Sequence, residues 1–273
     1  MDIVTVTCQL DSYQMIQQAE SISLFVKPCT HWVIVNDVNV NLEMWEKKLA
    51  PYYKTHKLNL KTYDITAWPK LNAHFDGYYI QQILKLLISK EIKDDYLLLD
   101  SKNLFLKEIN IENFRHQTGD GRIYNFTNRN HLSCHLETIE HYASKLNIPV
   151  NYNHLNPILP FVINYEVMKQ INNLDQVLNW FSDKGDISMS EFLLYSSLCQ
   201  KYNYVPKTSI NPIKSVYFWN KEKWIHKMAQ MHNIDIVGFH RQWINNTSTK
   251  NITRANKFLR SLGFTHLLKR DNI

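Results

Sequence analysis

The stretch YLLLDSKNLFL (residues 96–106) decides how the rest of the chain reads. Four apolar or aromatic residues, Tyr96 to Leu99, run into Asp100. Three polar residues follow, Ser101, Lys102 and Asn103, and the chain then turns apolar again. A short apolar run bounded by turn residues fits a strand buried on both faces. Ending it in an acid, with a short return strand directly after, sets a carboxylate at the sheet edge. A second acid two positions on would give a divalent ion a second carboxylate ligand. Here that position is Lys102.

Strand and helix alternate through the residues before it. DIVTVTC (2–8) is β-rich, YQMIQQAESISLFV (13–26) has apolar residues at helical spacing, and HWVIVND (31–37) is a second strand ending in an acid. LEMWEKKLAPYY (42–53) reads as a helix stopped by Pro51, and LNLKTYDIT (58–66) alternates as a strand. GYYIQQILKLLISKEI (77–92) is a strong helix with Tyr79, Ile83, Leu86 and Leu87 on one face. This order predicts an α/β fold with a parallel sheet and helices on both faces. Such sheets bind ligands beyond the carboxyl ends of their strands. Asp37 and Asp100, and Asp11 just past the first strand, fall on that rim. For Asp11 and Asp37, capping of the following helix is an equal alternative.

Later segments are less regular. GRIYNF (121–126) reads as a strand, LSCHLETIEHYASKLNI (132–148) as a helix, and ILPFVIN (158–164) as an edge or loop-flanked strand because of its proline. SMSEFLLYSSLCQKYN (188–203) reads as an amphipathic helix, IDIVGFHRQW (234–243) as a short strand running into a polar turn, and TRANKFLRSLGF (253–264) as a closing helix with a glycine stop.

The 273 residues, 44% hydrophobic and 21% charged, suffice for a well-packed core. No window reaches about 18 apolar residues, so no transmembrane helix is expected. The N-terminus lacks the features of a signal peptide. Four cysteines at no metal or redox spacing suggest free thiols and a cytoplasmic setting. The net charge of +6 favours anionic partners but has no basic run behind it. Nucleic acid is not expected, because no recognition motif accompanies the charge. CQLDSYQ, after the first strand, has no glycine, which disfavours a dinucleotide-binding turn. P-loop and nucleophile-elbow motifs are also missing. His131 and His135 in HLSCHLETIEH could share a helix face and bind zinc, but no second ligand pair supports them; a solvated face is the plainer reading.

Several blocks together resemble a family of sugar transferases with the GT-A fold, found in bacteria and phages and itself uncharacterised. They are GYYIQQILKLLISKEIKDDYLLLDSKNLFLK (77–107), PFVINYEVMKQI (160–171), SEFLLYSSL (190–198) and VGFHRQW (237–243), in that order. The resemblance spans about residues 1–265. It implies an α/β fold of GT-A type, a mixed, mainly parallel sheet flanked by helices on both faces, in one domain over 1–273, with 1–107 as the nucleotide-sugar half and 108–273 as the acceptor and catalytic half. It also implies a nucleotide-diphospho-sugar donor and transfer of the sugar to an acceptor hydroxyl of a glycan or glycolipid, with peripheral membrane contact. Asp100 would lie beside the donor's diphosphate and ribose, and Gly238, Phe239, His240 and Arg241 near the phosphates. Glu191 would be a candidate general base, so Asp100 and Glu191 are the catalytic candidates. Asp11, Asp37, Gln82, Lys85, Lys102, Asn103, His240 and Arg241 are the donor-binding candidates.

The chemistry of each residue leaves alternatives. Charge that develops on a leaving diphosphate needs a divalent ion, or Arg, Lys or His. An acceptor hydroxyl must give up its proton, which a carboxylate can take. For Glu191, a capping box with Ser188 is the plainer reading, and the same box could orient a base. Lys85 shares a helix face with Gln81, aimed either at the donor or at solvent. His240 and Arg241 follow a glycine that would let backbone approach phosphate; an exposed basic loop is the alternative.

Lys102 bears on the metal. Its ammonium about 4 Å from a divalent ion would cost roughly 8 kcal/mol at an effective dielectric of 20. Three states follow. Lys102 points away and Asp100, with His240 and Asn103, holds Mn2+ or Mg2+ weakly. Alternatively, Lys102 replaces the metal and pairs with the diphosphate. In the third state the site is inactive and the domain only binds a nucleotide sugar or glycan.

Overall fold

The computed structural model describes residues 1–37, 40–64, 77–115, 123–125, 133–155, 160–180, 190–205, 214–218 and 233–270. Its centre is a five-stranded sheet in the order β3-β2-β1-β4-β8. The strands are β1 (Asp2–Thr7), β2 (Thr30–Val35), β3 (Lys57–Lys61), β4 (Tyr96–Asp100) and β8 (Phe161–Ile163). The first four run parallel, with Val6 opposite Asp100 and Thr7 opposite Val35. β8 closes the sheet antiparallel on β4. The proline-containing segment read as an edge strand is indeed that edge, and the fold is the mixed, mainly parallel sheet expected.

Strand β4 shows why the apolar run had to be central. Tyr96 and Leu98 enter one core with Val4 and Val6, while Leu97 and Leu99 enter another with Ile3 and Ile22. All four β4 side chains are fully buried, each stabilising the fold by about 1.5–3 kcal/mol. Helices cover both faces. On one side lie α1 (Ser12–Phe25) and α2 (Leu42–Leu49), and on the other α3 (Gly77–Leu87), α4 (Ser133–Leu146) and, further along the chain, α7 (Glu191–Lys201). Between α4 and α7 come α5 (Tyr165–Met168) and α6 (Leu174–Asn179).

After β4 the chain turns through Ser101 and Lys102 and leaves the main sheet as β5 (Asn103–Phe105). β5 joins a second sheet, β5-β10-β9, built with β9 (Ser215–Phe218) and β10 (Ile236–Phe239). β5 pairs antiparallel with β10, Phe105 opposite Ile236. A two-stranded ribbon of β6 (Ile123–Asn125) and β7 (Asn153–Leu155) completes the described sheets. The chain continues from β10 into α8 (Arg241–Asn246) and α9 (Thr249–Ser261). Gly263, just past α9, has φ +93°, so the expected glycine stop is present.

Two boundaries read from sequence move, and one helix cap differs. β2 ends at Val35, so Asp37 sits beyond the strand. α2 is capped by Asn41, whose side chain accepts from the Met44 amide, so Asp37 does not cap it. α7 starts at Glu191 with Ser190 as its N-cap, accepting from the Leu193 amide. Ser188 lies outside the described residues. Glu191 is therefore the first residue of the helix and is not the third-position partner of a capping box. Among the described residues, no helix is long and apolar enough to cross a membrane.

Candidate functional site

Asp100 stands at the carboxyl end of β4 and each of its oxygens meets a lysine. Lys85 Nζ is 3.3 Å from Oδ1, and Lys102 Nζ is 3.1 Å from Oδ2. Lys85 also reaches Glu191 Oε1 at 2.9 Å. Lys85 and Glu191 are buried, whereas Asp100 and Lys102 keep about a fifth of their side chains exposed, 20% and 21%. Burial alone would raise the Asp100 carboxyl pKa, but Lys102 and Lys85 more than reverse this and hold it well below the usual carboxylate range. For Lys85 burial works against the charge, and Asp100 and Glu191 outweigh it, leaving its pKa above the usual lysine value. Two anions and two cations thus neutralise one another, the condition under which buried charge is tolerated.

The helix periodicity supplies Lys85, and Gln82 on the preceding turn accepts the Glu191 amide at 3.1 Å. Lys85 is therefore neither aimed at solvent nor set on an open rim. Its neighbour in the cluster is Gln82 rather than Gln81. The Gln82 Nε2 is buried and has no hydrogen-bond partner among the described residues.

On the other side of Asp100 lies a cavity of about 490 Å³. Its wall includes Asp11, Gln14, Ser101, Lys102, His240 and Arg241. Asp11 makes no capping bond to α1. It accepts instead from Ser101 Oγ at 3.3 Å, and its other oxygen is 3.9 Å from an Arg241 guanidinium nitrogen. His240 caps α8, its Nδ1 accepting from the Gln242 amide at 3.2 Å. Burial first, then the charge of Lys102, lowers its pKa. Asp37 stands apart from the cavity wall and accepts the Gln9 amide at 2.6 Å. Burial raises its pKa against that bond.

Asn103 faces inward. Its Oδ1 accepts the Asp100 amide at 2.7 Å and its Nδ2 donates to Tyr217 at 3.2 Å. Gly238 is explained by the same contact. A Cβ there would lie 2.4 Å from the Tyr217 ring and 3.1 Å from Asn103 Nδ2. The glycine sits inside β10, where it makes room for Tyr217, and not in a loop approached by phosphate. That corrects the reason given for it from sequence.

These residues do not fit a metal. Both oxygens of Asp100 face ammonium groups, and His240 spends Nδ1 on a helix cap. Among the described residues, no group of three or more His, Cys, Asp or Glu is placed to hold an ion. That covers His135 and His141 on α4, while His131 lies outside the described residues. Sequence reasoning missed Gln14 and Ser101 in the cavity wall. Gln14 is buried, and its Oε1 has no partner among the described residues. Its signal was the run of glutamines in a helix otherwise patterned for burial.

A family model matches residues 15–247, most of the chain. This protein belongs to the family of unknown function DUF6492. No curated protein matches its sequence. Among solved structures, the DUF6492 chain resembles the galactosyltransferase LgtC in complex with donor and acceptor sugar analogs, at TM-score 0.55 and 13% identity, covering 100% of this chain and 98% of that one. It also resembles the bifunctional glycosyltransferase WbbM, at TM-score 0.54 and 13% identity, covering 96% of this chain but only 49% of WbbM. The chain thus spans about half the length of WbbM. A third match, the apo form of glycosyltransferase GlyE of Streptococcus pneumoniae TIGR4, has TM-score 0.50 and 8% identity, covering 97% of this chain and 60% of that one. At these identities the likeness is one of fold, and the DUF6492 chain has the GT-A fold.

Proposed function

We propose that this protein is a glycosyltransferase that takes a sugar from a nucleotide-diphospho-sugar and passes it to an acceptor hydroxyl, stabilising the leaving diphosphate with side-chain cations in place of a metal. The observation carrying this reading is the cavity at the carboxyl edge of β4, with Lys102, Asp11 and Arg241 in its wall and Asp11 loosely paired to Arg241. When the bond from sugar to diphosphate breaks, negative charge grows on the phosphate oxygens. Lys102 can offer them a point charge, and Arg241 can bind two oxygens in a fork. His240 adds a neutral ring donor, its pKa being lowered. Asp11 can accept from ribose hydroxyls. Its pair with Arg241 at 3.9 Å is loose enough to yield to a phosphate.

Glu191 takes a different role in this reading from the base suggested by resemblance. Its carboxylate is 3% exposed and faces Lys85. We assign it to holding Lys85, and through Lys85 the orientation of Asp100. A base role would require it to give up that pair.

Peripheral membrane contact is part of the proposal. Lys250, Arg254 and Lys257 recur at i, i+4 and i+7 on α9, are exposed, and share a helix that has no acid. Such a face suits an anionic lipid surface near a glycolipid acceptor.

A thermal-shift panel of UDP-, GDP-, CMP- and TDP-sugars, each with manganese and with EDTA, tests the donor. A ligand at about 100 times its Kd adds about 2.7 kcal/mol, or roughly 5–10 °C for a chain of this size. The expected result is a shift with one diphospho-sugar that is equal in EDTA. A shift that requires manganese would overturn the side-chain cation reading. Donor binding with no release of nucleoside diphosphate, by transfer or by hydrolysis, would favour a binding module of the same fold.

A further inference from the structure

The turn that carries Lys102 is gripped from behind by α1. Gln18, fully buried, donates through Nε2 to the carbonyl oxygen of Asp100 at 2.6 Å and to that of Asn103 at 3.1 Å. These are the two backbone carbonyls flanking Ser101 and Lys102, at the point where β4 has left the main sheet and β5 has just entered the second. One turn along α1, Ser21 Oγ accepts the Phe105 amide at 3.3 Å and donates to the Gln18 carbonyl at 2.7 Å.

The orientation of Gln18 follows from its partners. Carbonyl oxygens only accept, so the amide nitrogen must face them and Oε1 must point away. Oε1 then accepts from Thr5 Oγ1 at 2.8 Å. With its proton committed, Thr5 Oγ1 must accept from His31 Nε2 at 3.0 Å. His31 therefore carries its proton on Nε2, and its Nδ1 accepts from Tyr53 at 2.6 Å. Thr5, Gln18 and His31 are all fully buried. Every donor in the chain Tyr53, His31, Thr5, Gln18 points toward the turn, which leaves Gln18 a single hydrogen-bonding orientation.

We propose that Gln18 is a positioning residue for the diphosphate subsite, clamping the Asp100–Asn103 turn so that Lys102 is held at the cavity wall before ligand arrives. This rests on the donor reading above. A preset cation loses little freedom on binding, so the clamp acts on ligand affinity as well as on stability.

The test compares Gln18→Leu with Gln17→Leu. Gln17 is the adjacent buried glutamine, but its Nε2 donates at 2.9 Å to the His266 carbonyl, at the far end of the chain from the turn. It controls for the general cost of deleting a buried amide from α1. Inorganic pyrophosphate is the probe in calorimetry, with hydrogen exchange of residues 100–103 measured alongside. Gln18→Leu should weaken pyrophosphate binding about tenfold, the scale of losing one well-placed charged contact, and speed exchange in the turn. Gln17→Leu should lower Tm with neither effect. Should Gln18→Leu not fold, Thr5→Val keeps the shape and removes the donor to Gln18, and it should reproduce both effects at smaller size. Unchanged affinity in the folded Gln18 or Thr5 variant overturns the clamp. So does an equal loss in Gln17→Leu. Failure of the wild-type protein to bind either pyrophosphate or any diphospho-sugar would instead overturn the donor reading, and the clamp as a positioning device with it.

Discussion

The two sides of Asp100 contain the same chemistry in opposite settings. Toward α3 and α7, Lys85 sits between two carboxylates with 6% of its surface exposed. Toward the cavity, Lys102 meets the same carboxylate but keeps 21% of its side chain exposed, and the loosely paired Asp11 and Arg241 lie nearby. A lysine whose charge is fully consumed by buried acids has none to offer a ligand. One at a wet edge can exchange its partner for phosphate with little desolvation cost. On the proposed reading, Lys85 is structural and Lys102 contacts the diphosphate, although both stood among the donor-binding candidates read from sequence.

The hardest way to break this contrast is at Lys85. Lys85→Met would leave the buried Glu191 without its cation and Asp100 with Lys102 alone, and should cost about 3–5 kcal/mol, measured by urea denaturation. Adding Glu191→Gln should restore part of the loss. If Lys85→Met proves nearly neutral, the dry side of the comparison fails.

Behind the turn, His31 supplies a pH test. Burial first, then the neighbouring His56, lowers its pKa to about 3. The native state therefore keeps His31 neutral while the unfolded chain takes up a proton below about 6.5. Stability from this group is complete above that pH and declines as pH falls toward 3, by up to about 1.4 kcal/mol per pH unit. His31→Gln should flatten the stability profile between pH 6 and 4 relative to wild type, by denaturation at each pH.

Lys102→Ala is expected to sharpen the comparison from the wet side. Its pair with Asp100 is partly exposed, so stability should move by less than about 1 kcal/mol. Affinity for pyrophosphate should fall about tenfold and lose part of its salt dependence. Smallest in its effect on the fold is reversing Lys250, Arg254 and Lys257 to Glu. That change should leave Tm in place and abolish co-sedimentation with phosphatidylglycerol vesicles, while phosphatidylcholine vesicles bind neither form.

Much of this fold was legible because β4 and α3 carry their signal locally. An apolar run ending in Asp100 and a helical stripe through Ile83, Leu86 and Leu87 need no distant partner to be read. The antiparallel addition of β8 was not legible, since direction depends on the route of the chain and not on composition. At the site, Asp100, Lys102, Asp11, His240 and Arg241 came from sequence and meet around the turn and cavity. The role of Glu191 did not, because Lys85 is 106 residues away and periodicity says nothing about such pairs. The start of that helix was read from Ser188, whereas Ser190 is its N-cap and the Glu191 amide donates to Gln82. Glutamine in a buried helix is nearly silent in propensity terms, which is why Gln14 and Gln18 passed unread.

The pairing of β5 with β10 has a consequence for biosynthesis. The turn bearing Lys102 is made well before the strand that backs it and the Arg241 in the same cavity wall, which emerge only after more than a hundred further residues have been added. A nascent chain can form the parallel strands β1, β2, β3 and β4 well before then. Its edge at Lys102, however, stays half-built until those later residues have been made.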